Sequence, residues 1–527
     1  MSRTAIIRVV PITQSSGVVR NVHLVLNNKP NRQSVKVKTL GKYVQLHPKG
    51  WKKRLEQAEL LYAAGSWEKA VEEYHQVLKR QPRLLEARLQ LGKILQLMAR
   101  EIEAIEVYEC AKALTSNVAT QYHIKGLIEL CHCRQNTAIK MFELAASLEP
   151  NNAAHWFILG QNNLERDAHK AALRAFDVIL EHNSDDIVAL IHSYDALMAA
   201  GNFQEAQQRL SRIQESAPND FRALKRLADH RTRMRLVWGE EGKQTKQLIQ
   251  TALRQAPDSA EAHQSQAYYH LFQGKNKKGI AVLQTFVEQH PKNPSGWYHL
   301  ARCLFHTGEF NAATTAILKA YALYQNDCEI YLALCEILPA AGKREMLQPL
   351  MAEMLACFAQ RWRVWVTAGL VWVENFKDYE QGCLISSKAT RLQPQLAEPW
   401  FRHGRVLALA GRHQQAVDAL AQGWQWLPED GGYVQSVPAA MWLGESYQAL
   451  GEYATSQDWF QSAIEHAKKL MDFNPAMAYY WQGKALEALE DVTAAKWAYQ
   501  QALNLHLLYP TCWAVNKALK KLNILFF

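Results

Sequence analysis

Small residues recur along this chain at a fixed interval, and that interval limits what it can fold into. Ala58, Gly92, Gly126, Gly160, Tyr194 (the one lapse) and Ala228 are 34 residues apart. After a longer step the register resumes at Ala267, Ala301, Cys335 and Gly369, and slightly longer steps lead to Gly404, Gly444 and Gly483. Twelve residues after most of these comes a second small residue: Ala70, Ala104, Ala138, Ala172, Ala206, Ala313, Ala416 and Ala495. Four residues later a bulky one follows, at Tyr74, Tyr108, Phe142, Phe176, Phe460 and Tyr499. Pro82, Pro150, Pro218, Pro291 and Pro428 close units. A fixed period of this length marks a stacked array of about thirteen units.

Each feature has a physical cause. Apolar residues at helical spacing in both halves of a unit predict two antiparallel helices sharing an apolar seam. Small residues let the two backbones approach, and the bulky residue fills the space on the next turn. The glycines of "GSW", "GNF" and "GEF" predict positive φ at the end of the first helix. The closing proline is tolerated in a first turn but not in a helix interior, so it marks the boundary between units. One such pair cannot bury its apolar face alone, whereas stacked neighbours can.

The pattern resembles the tetratricopeptide repeat, whose signature is matched by Trp156, Leu159, Gly160, Ala172 and Phe176. The resemblance covers roughly residues 51–508. It implies an all-α, right-handed superhelical solenoid of about thirteen helical hairpins, with the first helix of each lining a concave groove. It also implies a scaffold or adaptor that holds a protein partner in that groove. On that frame the expected partner-binding residues are Arg222, Lys225, Arg226, Arg233, Tyr268, Tyr298, Arg302, Arg405, Trp442 and Trp481.

Three regions depart from the repeat. Residues 1–55 hold twelve Lys and Arg and no acidic residue, while the rest of the chain holds 48 basic and 50 acidic residues. The stretches "TAIIRVV", "VVRNVHLVL" and "SVKVKTLGKYVQL" are β-branched and alternating, which predicts a strand-like arm over residues 1–50. Arg20, Lys36, Lys38, Lys42, Lys49, Lys52, Lys53 and Arg54 are its candidate anion-binding residues, for an acidic protein, nucleic acid or a lipid surface. A solvated tail, or a strand pair capping the first repeat, explains the same composition.

The second departure is "FRALKRLADHRTRMRLVWGEEGKQTKQ", residues 221–247. Helical geometry puts Arg222, Lys225, Arg226 and Arg233 on one face with Asp229. That face reads either as an anion-binding spot in the groove or as a solvated basic face paired with Asp229, Glu240 or Glu241. The step to the next unit is 39 residues, which predicts an irregular insertion over 236–250 between arrays at 51–235 and 251–508. Glu240 stands where a small residue is expected. Some relatives in the resembled family clamp a chaperone tail's carboxylate with Lys, Asn and Arg on three successive first helices. Here Phe157, Gln161 and His192, or Leu55 and Glu59, stand where the Lys and Asn belong, so that clamp is not expected.

The third is the C-terminal part, where "LPEDGGYVQSVP" at 427–438 predicts a loop and residues 509–527 a final capping helix. Trp and Tyr crowd this part, and Trp442 and Trp481 fall on the predicted groove side.

No phosphate-binding loop, zinc-protease motif, nucleophile elbow or dinucleotide fingerprint occurs. "CHC" at 131–133 puts two thiols on nearly opposite faces of a helix, which is poor metal geometry. The sequence therefore points to a non-enzymatic scaffold with no cofactor or metal. Its expected partners are proteins, in a larger assembly. Nucleic acid held by the arm and the 222–233 face is the alternative. Groove positions Leu89, His123, Phe157, Ile191, Lys225 and Gln264 form no base-reading code. No apolar run is long enough to span a membrane, no secretion signal is legible, and nine scattered cysteines suit a reducing compartment, so the expected location is the cytoplasm.

Overall fold

The computed structural model describes residues 50–63, 67–98, 100–132, 134–325, 327–427, 433–506, 508 and 512–524. The strand-like arm, with Arg20, Lys36, Lys38, Lys42 and Lys49, lies outside the described residues. So do Gly65 and Pro428.

Among the described residues there are 27 α-helices and no strands. They run as thirteen hairpins followed by one last helix, so the fold is an all-α solenoid of helical repeats. In five hairpins the seam is the one the periodicity predicts. Gly92, Gly126, Gly160, Gly444 and Gly483 face the rings of Tyr108, Phe142, Phe176, Phe460 and Tyr499, each ring sixteen residues downstream. A Cβ on Gly126 would lie 2.4 Å from Phe142 Cε1, so the aromatic occupies the space a side chain would need. Ala70, Ala104, Ala138, Ala172, Ala206, Ala313, Ala416 and Ala495 are fully buried opposite them.

The helix ends follow equally local rules. Gly201 and Gly308 close their first helices at φ +81° and +87°, a conformation that a Cβ disfavours. First helices are commonly capped by a side chain of the preceding residue: Asn117, Asn152, Asp220, Asn293 and Asp327 each accept a backbone N–H from the first turn. The closing prolines Pro82, Pro150, Pro218 and Pro291 sit in the turn before the next first helix, not in the first turn itself. Their carbonyls have a use there: Trp156 and Trp297 Nε1 donate to the carbonyls of Pro150 and Pro291 at 2.7 and 2.9 Å.

The lengthened steps are mostly absorbed in helix. The expected irregular insertion at 236–250 is not irregular: Gly239–Gln255 is a 17-residue helix. Its small position is Thr245, fully buried with Oγ1 donating to the carbonyl of Leu236 at 2.7 Å, so Glu240 belongs to an added first turn. The extra residue before Gly404 is taken up by a π-helical turn, Trp372–Phe376. The expected loop at 427–438 is shorter than read, because Tyr433–Ala449 is helical with Pro438 inside it.

The structure divides into two compact units, residues 1–196 and 197–527. In the second unit the chain returns to its own beginning. Gln435 Nε2 donates to the Ala200 carbonyl at 3.1 Å, and the Phe203 and Phe473 rings lie 5.4 Å apart. Gly274 has room only for hydrogen, since a Cβ there would meet His506 Cε1 at 2.6 Å.

Candidate functional site

Two positions of each first helix carry the side chains that meet between repeats: three residues before the seam's small residue, and one residue after it. In the first unit these positions converge. Lys93, His123, Leu127, Phe157 and Gln161, with Tyr108, Ala154 and Ile158, line a cavity of about 20 Å³, room for a water-sized guest. Except for Tyr108, the lining comes from three consecutive first helices: Leu85–Leu97, Val118–Cys131 and Ala153–Glu165.

The polar groups here are tightly held. Lys93 is 5% exposed, and burial pushes its ammonium down from 10.5 to about 8. His123 Nδ1 and His155 Nδ1 share one hydrogen bond at 2.9 Å, and His155 Nε2 meets Glu149 Oε2 at 3.1 Å. Burial, then the neighbouring His155, lowers His123 to about 3, so its ring is neutral at pH 7. Hydrogen bonds from Asn152 and Asn117 lower the Glu149 carboxyl. Tyr108 donates to Gln96 Oε1 at 2.7 Å, and the Gln96 amide reaches Cys131 Sγ at 3.0 Å, so that thiol is engaged in packing. Sequence reading placed His123, Phe157 and Gln161 in the groove frame but passed over Lys93; its place one residue after Gly92 was the available signal.

In the second unit the same positions pair with one another. Arg302 and Glu336 form an ion pair one repeat apart, and Arg405 Nη1 meets Glu445 Oε2 at 2.7 Å. Lys225 Nζ meets Asp229 Oδ2 at 2.6 Å, and Ser265 Oγ of the next repeat, which lies just beside those positions, donates to Asp229 Oδ1 at 2.5 Å. Tyr268 stands edge-on to His306 with centroids 6.2 Å apart, and Tyr298 is half-buried nearby; burial raises both phenols. Opposite charges at equivalent positions of adjacent repeats were a legible signal for these pairs.

The remaining expected site residues fall as follows. Arg222 folds back on the capping Asp220, with Nη2 to Oδ2 at 2.8 Å. Arg226 donates to the Arg222 carbonyl at 3.3 Å, and Arg233 reaches Met198 Sδ at 3.8 Å. The face is therefore largely engaged within the protein. Trp442 is 8% exposed and packs with Phe401, Ala439 and Leu443, with the Arg405 guanidinium 5.7 Å from its ring. It is a core residue and not the open anchor expected, because its helix buries that turn against the preceding hairpin. Trp481 is partly buried against the Ala440–Phe460 cluster. Lys52, Lys53 and Arg54 belong to the first helix, Trp51–Ala63, and not to the arm; Arg54 Nη1 meets Glu73 Oε2 of the second helix at 2.6 Å.

Among the described residues no helix is long and apolar enough to cross a membrane. Comparison with known proteins agrees with the repeat geometry. Family models described as tetratricopeptide repeat match residues 163–229, and residues 55–113 and 265–327. The chain is similar in structure to a crystal structure of the APC/C hetero-tetramer Cut9–Hcn1, at 14% identity and TM-score 0.37, covering 86% of this chain and 94% of that one. It is similar to yeast Tom70 at 15% identity and TM-score 0.38, covering 91% and 96%. A third likeness, to MamA protein, has 22% identity and TM-score 0.23 and covers 32% and 92%. No curated relative matches by sequence. Repeats of this kind build protein-interaction scaffolds in general. With matching segments at 55–113, 163–229 and 265–327, each built of the helical hairpins described above, the chain carries tetratricopeptide repeats.

Proposed function

We propose that this protein is a non-catalytic adaptor whose first-helix groove holds a segment of a partner protein, while its basic N-terminal arm docks on an anionic surface of the same assembly. The observation that supports it most is the cleft made by three successive first helices in the first unit. There Lys93 keeps a cation among His123, Phe157 and Gln161. Taking an ammonium out of water costs stability, so the retention of a buried Lys93 suits recognition of a carboxylate or carbonyl of the partner. The arm contributes long-range attraction that falls with salt.

The test has two arms. Partners captured by the full chain are compared with those captured by Lys93→Glu and by a chain lacking residues 1–50. The reading expects a direct partner that Lys93→Glu weakens at any ionic strength, and that loss of the arm weakens mainly at low salt. Equal capture by all three chains would sink it.

A further inference from the structure

The second unit carries a feature outside the groove that the adaptor reading does not use. Residues 221–278 hold twelve basic and five acidic residues, whereas the rest of 56–527 holds 36 basic and 45 acidic. Several of the cations are engaged: Arg231 with Glu241, Lys225 with Asp229, Lys243 with Glu240. Others stand open along one edge, where the loop before the helix Gly239–Gln255 meets the start of the helix Asn276–Gln289.

The edge is assembled by defined contacts. Gln273 Nε2 donates to the Val237 carbonyl at 2.7 Å and its Oε1 accepts from Lys275 Nζ at 2.8 Å, fastening the two turns together. Trp238 is 54% exposed, with Lys275 Nζ 5.5 Å from its ring centroid. Lys246, Lys277 and Lys278 are exposed, and none has an acidic partner among the described residues. Lys275, Lys278 and Lys246 all act on His270, whose ring burial and these cations keep neutral.

The local energetics run against folding. Lys275 is the N-cap of its helix and Lys277 and Lys278 stand in the first turn, at the positive end of the helix dipole, with no acidic residue there. Each such placement is unfavourable where an Asp or Glu would stabilise. A large exposed indole adds unburied apolar area beside them. An incoming group with negative charge and an apolar side chain relieves both.

We infer that Trp238, Lys246, Lys275 and Lys278 form a docking surface for an acidic polypeptide segment, one with an aromatic or aliphatic side chain among its carboxylates. Charge complementarity selects the occupant. A few lysines on one edge match a short run of carboxylates. Phosphate-backbone tracking requires a broad basic stripe, which the acidic excess of the remaining array denies. Trp238 supplies the apolar contact that carboxylates alone do not need.

The experiment is hydrogen exchange on the full-length protein with a synthetic Glu/Phe peptide, with oligothymidylate and with phosphatidylserine vesicles as separate probes. The peptide is expected to protect 236–247 and 270–280, and that protection is expected to vanish in Lys246→Glu/Lys275→Glu/Lys278→Glu. These sites are exposed, so helicity should stay unchanged. Trp238→Ala tests the apolar contact separately and should reduce the protection without abolishing it. No protection by the peptide, protection that survives the triple reversal, or protection by oligothymidylate or vesicles alone would each overturn the inference. The comparison is local, so anion binding by the N-terminal arm does not blur it.

Discussion

Arg235 and Leu505 are 270 residues apart in sequence, and the Arg235 Nε donates to the Leu505 carbonyl at 2.6 Å. The guanidinium lies 3.7 Å from the Phe272 ring centroid, and a second bond runs from Nη1 to the Arg233 carbonyl at 3.0 Å. Burial, then Arg233, lowers its basicity to about 9. With Gln435 on Ala200 and His506 against Gly274, it clasps the late repeats of the second unit onto its early ones.

Arg235→Ala should open that clasp. It removes a charged donor from a half-buried carbonyl, a loss of about 1.5–3 kcal/mol. Hydrogen exchange should rise over 492–504 and 260–271 and stay as it was over 51–196. Unchanged exchange at 492–504 would show that the clasp carries no stability.

The hairpin seam predicts a rescue. Gly126→Ala would drive a methyl into Phe142, costing about 1–3 kcal/mol by overpacking. Elsewhere the chain uses Ala267 with Leu283 and Ala301 with Ile317 at the same two positions, all four buried. Gly126→Ala/Phe142→Ile should therefore recover much of the loss in a thermal melt. The single variant's extra exchange should stay near residues 85–165, since repeat stability is local. A double variant no better than the single would mean the seam is not the cause.

The seam and hairpin count were legible because both rest on local spacing: Gly126 and Phe142 are fixed by one helix pair. The inserted turn was misread because a 39-residue step does not say whether the extra residues coil or lengthen a helix. Thr245, a polar residue, fills the slot for which the spacing pointed to a small residue at position 240. The site was less legible. Arg302 looks like a free groove cation until Glu336, one repeat away, is placed beside it. Trp442 looks like an anchor until the neighbouring hairpin covers it. The clasp from Arg235 to Leu505 has no sequence signal beyond Gly201 and Gly274.

Lys93→Met should stabilise the first unit. With a folded pKa near 8 against 10.5 for the unfolded chain, the unfolded state holds the proton more tightly. The cost is therefore present in full below pH 8 and fades as pH rises toward 10.5. At neutral pH the shift corresponds to about 3 kcal/mol. Urea melts of both proteins at pH 7 and pH 10 should show the advantage of Met shrinking at the higher pH. A pH-independent difference would mean that packing, not charge, separates them.

The pairs between repeats make a prediction that distinguishes a staple from a contact surface. Arg302→Glu places a carboxylate beside Glu336 in a half-buried setting, so it should destabilise the second unit. The exchanged variant, Arg302→Glu/Glu336→Arg, restores opposite charges across the same two repeats. A coupling of about 0.5–3 kcal/mol in the double-mutant cycle is expected if the pair is an internal staple. Binding of the partner should then follow stability: impaired in the single variant and regained in the exchange. If the exchanged variant folds as well as the parent yet fails to bind, Arg302 meets the partner directly. The groove of the second unit would then be a reading surface, and its internal pairing only a resting arrangement.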